Sequence, residues 1–118
     1  EARCRVHASV LPLDVEIEPN AWRKYTRGPA GHARDEIRAS VPDIVHALRA
    51  AAGDDMSALG IVDVDLIDAL RHVAPGAFLD DDDHLSARGH AAVARAFADA
   101  LRSSTVNDIV ARREKEPT

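Results

Sequence analysis

The stretch of the chain richest in reactive side chains is residues 78–94, Phe-Leu-Asp-Asp-Asp-Asp-His-Leu-Ser-Ala-Arg-Gly-His-Ala-Ala-Val-Ala. Four consecutive carboxylates, Asp80, Asp81, Asp82 and Asp83, run directly into the imidazole of His84. A histidine with an ordinary pKa of about 6.5 is poised to accept a proton near neutrality. A carboxylate on one ring nitrogen fixes the tautomer and stabilises the imidazolium formed when the other nitrogen takes a proton, and such a base turns a serine hydroxyl into a nucleophile. Three residues of separation in a turn let Asp81 and His84 reach one another, and Asp80, Asp82 and Asp83 are register alternatives for the orienting acid. The plain alternative is a solvated acidic loop before a helix, where the helix dipole favours negative charge. A hard cation on the carboxylates with His84 and His90 is a further reading, weakened because the glycine and distal glutamate of an EF-hand loop are missing.

The elements that must position this block can be read from periodicity. Residues 6–13 form a short apolar run that predicts a buried strand ending at Pro12. Residues 14–32, broken by Pro19, Asn20, Gly28, Pro29 and Gly31, predict a long loop with one helical turn. Between residues 33 and 52 the apolar positions Ile37, Val41, Ile44, Val45 and Leu48 predict a buried helical stripe. Pro42 allows either one kinked helix or a second helix capped at Ser40, and Gly53 is the expected stop. Residues 58–65 predict a second strand, and residues 66–73 a short helix burying Leu66, Ile67, Ala69 and Leu70. Ser86 is the expected cap of a helix running to about Arg102 with Val93, Phe97 and Leu101 as its stripe, followed by a polar, partly helical tail over residues 103–118. The order strand, helix, strand, helix, helix predicts an α/β fold with a parallel sheet, and two strands leave that sheet incomplete.

The block over residues 78–94 resembles the last conserved block of the SGNH (GDSL-type) hydrolases, a superfamily of serine esterases that includes lipase-like enzymes. In that family Asp-x-x-His, then Leu, a small polar residue, two variable residues, Gly-His and a terminal helix supply the acid and base of the triad. The matching residues are Asp81, His84, Leu85, Ser86, Gly89 and His90, followed by the helix over residues 93–101. Val10-Leu11-Pro12 is similar to the family's late strand ending in proline, and residues 61–66 to the strand whose acidic end precedes the motif. The resemblance covers residues 5–102. It implies the C-terminal portion of a three-layer α/β/α, flavodoxin-like fold over residues 1–102, apparently incomplete, with His84 as catalytic base, Asp81 as its partner, and no metal or cofactor.

The family's Gly-Asp-Ser block and its glycine and asparagine oxyanion donors are missing, and Ser9, Ser40, Ser57, Ser86, Ser103 and Ser104 all lack that context or a Gly-x-Ser-x-Gly elbow. This chain alone is therefore expected to lack esterase activity. The first residue, Glu1, and the early apolar stretch fit a chain whose beginning has been removed. The implied substrate is a carboxylic ester, such as an O-acetylated small molecule or carbohydrate, with water or another alcohol accepting the acyl group. The opposing reading is a truncated or degenerate non-catalytic module that folds with a partner or binds carbohydrate. His90 is expected to pack or hydrogen-bond against the loop, Cys4 to be a small buried residue, and Trp22 and Tyr25 to line either a sugar site or the core.

Composition bounds these readings. The 118 residues are 30% charged and 46% hydrophobic, the balance of a globular chain. A net charge of −5 with scattered Lys and Arg argues against a nucleic-acid partner. No run approaches the roughly 18 apolar residues of a membrane span. A single cysteine forms no internal disulfide. The heavy use of Ala and Arg fits a GC-rich bacterial gene, and compartment stays open between cytoplasm and export. The unfinished sheet predicts self-association or a partner chain that completes it.

Overall fold

A computed structural model describes residues 4–18, 20–25, 31–80 and 82–114. The chain is mostly helical with one small two-stranded parallel sheet, a mixed α/β arrangement. In order come β1 (His7–Ala8), α1 (Asp14–Ile17), α2 (Trp22–Tyr25), α3 (Gly31–Ala58), β2 (Val62–Asp63), α4 (Ile67–Arg71) and α5 (Ala87–Arg113). His7 pairs with Val62 and Ala8 with Asp63. The ladder is held by Val62 N–H to the Val6 carbonyl and Val64 N–H to the Ala8 carbonyl, both 2.8 Å.

Both expected strands exist, but only two residues of each pair. Beyond Ala8 the chain leaves the ladder. The Val10 carbonyl accepts from Arg49 on α3 at 3.0 Å, and Pro12 has no N–H to offer a neighbour. The Arg49 guanidinium also grips Glu16 through both carboxylate oxygens at 2.8 and 2.9 Å, while Glu16 accepts the Leu13 N–H at 2.7 Å at the start of α1. This buttress joins the crossover helix to the turn that follows β1.

Three expectations about the helices are corrected. Helix α3 runs through Pro42 as one helix, one of the two arrangements expected there, and passes Gly53 to end at Ala58, so the stop expected at Gly53 is absent. Gly53 has no open turn to make and leaves its nearest outside atom, Asp63 Oδ2, 3.9 Å from where a β-carbon would sit. The stripe on α3 is not buried as a whole: Val41 and Val45 are half-buried, whereas Ile44 and Leu48 are 55% and 65% exposed. The side chain of Ile37 lies outside the described residues. Helix α5 does not end near Arg102 but continues to Arg113, because Arg5 bonds Asp108 at 2.7 Å and His7 bonds Ser104 at 2.9 Å, tying that last stretch to β1.

The core sits where α4, α5 and the loop between them meet. Val64, Leu66, Leu70, Ala77, Phe78 and Ala92 are buried together with Ile17, and Val73, Val93, Phe97 and Ala100 pack against them. Of the four residues expected to be buried here, Leu66 and Leu70 are at 3% and 0% exposure while Ile67 and Ala69 are half-buried, and each buried leucine contributes about 1.5–3 kcal/mol. The radius of gyration is 18.6 Å, against about 13 Å for a compact domain of this size. The long helices α3 and α5 thus extend past the single core instead of closing around it.

Candidate active site

The acidic block is a short hairpin laid against the first turn of α5. Phe78 and Leu85 form an antiparallel bridge, and the Leu79 N–H donates to the His84 carbonyl at 2.9 Å. The far end is closed by Ser86. Its N–H donates to the Ala77 carbonyl at 2.9 Å, its hydroxyl donates to the Gly76 carbonyl at 2.6 Å, and the same oxygen accepts the Gly89 N–H at 3.1 Å. Ser86 is therefore the cap of α5, and the sequence signal for it was the serine before the periodic run.

Gly89 explains why the helix can come so close. A β-carbon there would fall inside the van der Waals surface of the Ala77 carbonyl oxygen and within 2.9 Å of a Leu85 methyl group. The glycine is thus a contact requirement: it lets the first turn of α5 lie on the strand that leads into the hairpin. His90 next to it is exposed, contrary to the packing role expected of it, since its position on α5 faces away from that contact. Cys4 is likewise exposed rather than buried, because β1 begins only at His7.

At the hairpin tip, His84 Nδ1 bonds Asp82 Oδ1 at 2.6 Å, and Asp83 Oδ1 lies 3.4 Å from the same nitrogen. Asp81, the partner implied by the family spacing, lies outside the described residues, and Asp82 is the register alternative that bonds the ring among them. With Nδ1–H donating to a carboxylate, Nε2 is left as the proton-accepting nitrogen, and the ring is 78% exposed. The hydrogen bond that His84 donates to Asp82 and the charges of Asp82 and Asp83 raise the His84 pKa above its ordinary value. In return the His84 bond, helped by one from Asp83, draws Asp82 down to about 2. Asp82, Asp83 and His84 each bring one donor atom within 4.8 Å of the others, all of them exposed.

Helix α2 brings Tyr25 into the field of this hairpin. The Tyr25 phenol donates to both oxygens of buried Asp14 at 3.1 Å. Burial, then Asp14, push its pKa up to about 12, and the charges of Asp83 and Asp82 add to the rise. The phenol therefore stays protonated and lies in the field of the hairpin. Trp22 meets it edge-on, with ring centroids 6.2 Å apart. Between the loop after β1 and the hairpin lies a depression of about 130 Å³ bordered by Glu18, Asn20, Gly76, Phe78, Leu79 and Asp80. A second, of about 170 Å³, opens at the carboxyl ends of the two strands beside Ser9, Arg49, Asp63 and Asp65, the end at which open parallel sheets bind ligands.

Sequence reasoning did not find Glu18, whose carboxylate accepts three backbone N–H groups of the segment entering the hairpin. Its partners lie far along the chain, and a lone glutamate in an irregular loop carries no spacing signal. No helix among the described residues is long and apolar enough to cross a membrane. Compared with protein-family models, curated proteins and solved structures, the chain matches none.

Proposed function

We propose that this chain is the Asp-His-bearing portion of an SGNH-type ester hydrolase, the C-terminal part of a three-layer α/β/α fold, acting through a serine acyl-enzyme. The observation that carries this reading is the hairpin tip, where a carboxylate holds Nδ1 of His84 and leaves Nε2 outward. In this mechanism His84 takes the proton of a serine hydroxyl supplied from outside these 118 residues and later returns a proton to the leaving alcohol. The orienting acid is the carboxylate on Nδ1, Asp82 or its neighbour Asp81. Tyr25 on α2 lies in the field of the hairpin carboxylates with Trp22 edge-on to it, which supports an acyl group carried on a small hydroxylated molecule or carbohydrate. Neither metal nor cofactor is needed for such a step.

The non-catalytic alternative, a module completed by a partner chain or a second copy, draws on one specific observation. Two strands of two residues leave apolar side chains such as Ile44, Leu48 and Leu59 in solvent. Hydrolysis of p-nitrophenyl acetate separates the two readings, measured on the protein expressed with the coding sequence upstream of Glu1. The enzyme reading predicts turnover that His84→Ala lowers by about a thousandfold or more while the circular dichroism spectrum is retained. Equal activity in wild type and His84→Ala removes the imidazole from the reaction.

A further inference from the structure

The hairpin that carries His84 is fastened from a direction its own motif does not contain. Glu18 follows α1, and its Oε1 accepts the backbone N–H groups of Gly76 at 2.9 Å, Ala77 at 2.7 Å and Phe78 at 3.1 Å. Successive amides converging on one point form an anion-binding nest, and here the anion is the chain's own carboxylate. Gly76 makes the nest possible: its φ of 101° turns the backbone through a region that L side chains rarely adopt. Bonds to an ionised acceptor are stronger than neutral ones, so one glutamate satisfies three donors that would otherwise need water or a ladder partner.

The other side of the same segment belongs to Ser86 and Gly89. Gly76 gives its N–H to Glu18 and its carbonyl to the Ser86 hydroxyl, so the entry arm of the hairpin is clamped between the loop after β1 and the first turn of α5. The arm then passes through Phe78, which pairs with Leu85, and Leu79, which bonds the His84 carbonyl. Glu18 itself is tied back to α3, since Glu16 two residues earlier is gripped by Arg49.

From this geometry we infer that Glu18 is a positioning residue for His84: by holding the three amides of residues 76–78 it fixes where the hairpin presents the imidazole. The inference rests on the reading of His84 as the base. Glu18 does not touch the ring and acts only through the backbone it holds. A glutamine keeps a carbonyl acceptor in the same place but loses the charge, which makes Glu18→Gln a graded variant and Glu18→Ala a complete one.

The test is NMR spectroscopy on the 118-residue chain, following amide exchange and the His84 ring titration in wild type, Glu18→Gln and Glu18→Ala. Among the described residues, the groups facing the ring are Asp82 and Asp83 on its own hairpin, with the Tyr25 phenol of α2 in the same field. Glu18→Ala is expected to speed exchange at Gly76, Ala77 and Phe78 about tenfold or more and to move the His84 midpoint down toward 6.5, with Glu18→Gln between it and wild type. Faster exchange with an unchanged His84 midpoint would make Glu18 only a brace, and no change in either would leave it no role; both overturn the inference. If Glu18→Ala does not fold, the intermediate midpoint of Glu18→Gln decides, and its absence overturns the inference equally. Ester hydrolysis plays no part in these readouts, so an active His84→Ala enzyme would defeat the catalytic reading while leaving the Glu18 effect visible.

Discussion

The two ends of the crossover use the same kinds of residue to opposite effect. Around α4, the hairpin and the first half of α5, Leu70, Ala77, Phe78 and Ala92 lie at 0–3% exposure, and the Ser86 hydroxyl bonds both Gly76 and Gly89. Along α3 and the sheet, Ile44, Leu48 and Leu59 are 55–75% exposed, and the ladder is two residues long. The difference teaches that the Asp-His block is held by close packing together with the Glu18 carboxylate, whereas the sheet half has side chains ready for neighbours it does not meet within the described residues.

The sharpest way to break that comparison is to truncate one leucine in each region. Leu70→Ala opens a cavity at 0% exposure and is expected to cost about 2–5 kcal/mol in urea unfolding. Leu48→Ala, at 65% exposure, is expected to change stability by less than about 0.5 kcal/mol. Similar losses at the two sites would mean that the α3 face is packed in solution and that the contrast is false.

Two glycines sharpen the same contrast with smaller effects of opposite sign. At Gly89 an added methyl group meets the Ala77 carbonyl, so Gly89→Ala should cost about 1–3 kcal/mol despite the better helix former. At Gly53 the interior of α3 has room, and Gly53→Ala should gain about 0.5–1 kcal/mol. Thermal unfolding of the two single variants reads both signs. A stabilising Gly89→Ala would show that α5 does not rest on residue 77.

This pair also shows what the sequence makes legible. The close approach at Gly89 came only with the structure, whereas the Ser86 cap and the Asp-His spacing at His84 are legible because capping and imidazole chemistry act within a few residues, where spacing carries information. Leu66 and Leu70 were readable for the same reason. Gly53 was misread as a helix stop because its surroundings, rather than its type, decide whether a glycine ends a helix. The exposure of Ile44 and Leu48 was invisible because a 3.6-residue stripe states that a face is apolar, not that something covers it. Glu18 and the Asp14–Tyr25 pair were missed because their partners are brought together only by the path of the chain after β1. The family spacing points to Asp81 as the acid; Asp81 lies outside the described residues, and Asp82, a register alternative, is the one whose bond to the ring is described.

Both members of the hairpin-tip pair should show their coupling as pH changes. Asp82, lowered from 3.8 to about 2, favours the folded hairpin above its ordinary value and loses that contribution as pH falls through the lower one. His84, raised above 6.5, favours it below 6.5 and loses the contribution as pH rises through its folded value. The pair is therefore fully formed between about 3.8 and 6.5, and the fraction of His84 able to act as a base grows only above that window.

The most direct measurement of the central claim is the ring titration of His84 by NMR in the wild-type chain and in Asp82→Asn. A carboxylate holding Nδ1 predicts a wild-type midpoint above 6.5 that falls when Asp82 becomes Asn. A midpoint near 6.5 that is the same in both proteins would mean that the imidazole is not held, and the proposed base would lose its orienting acid.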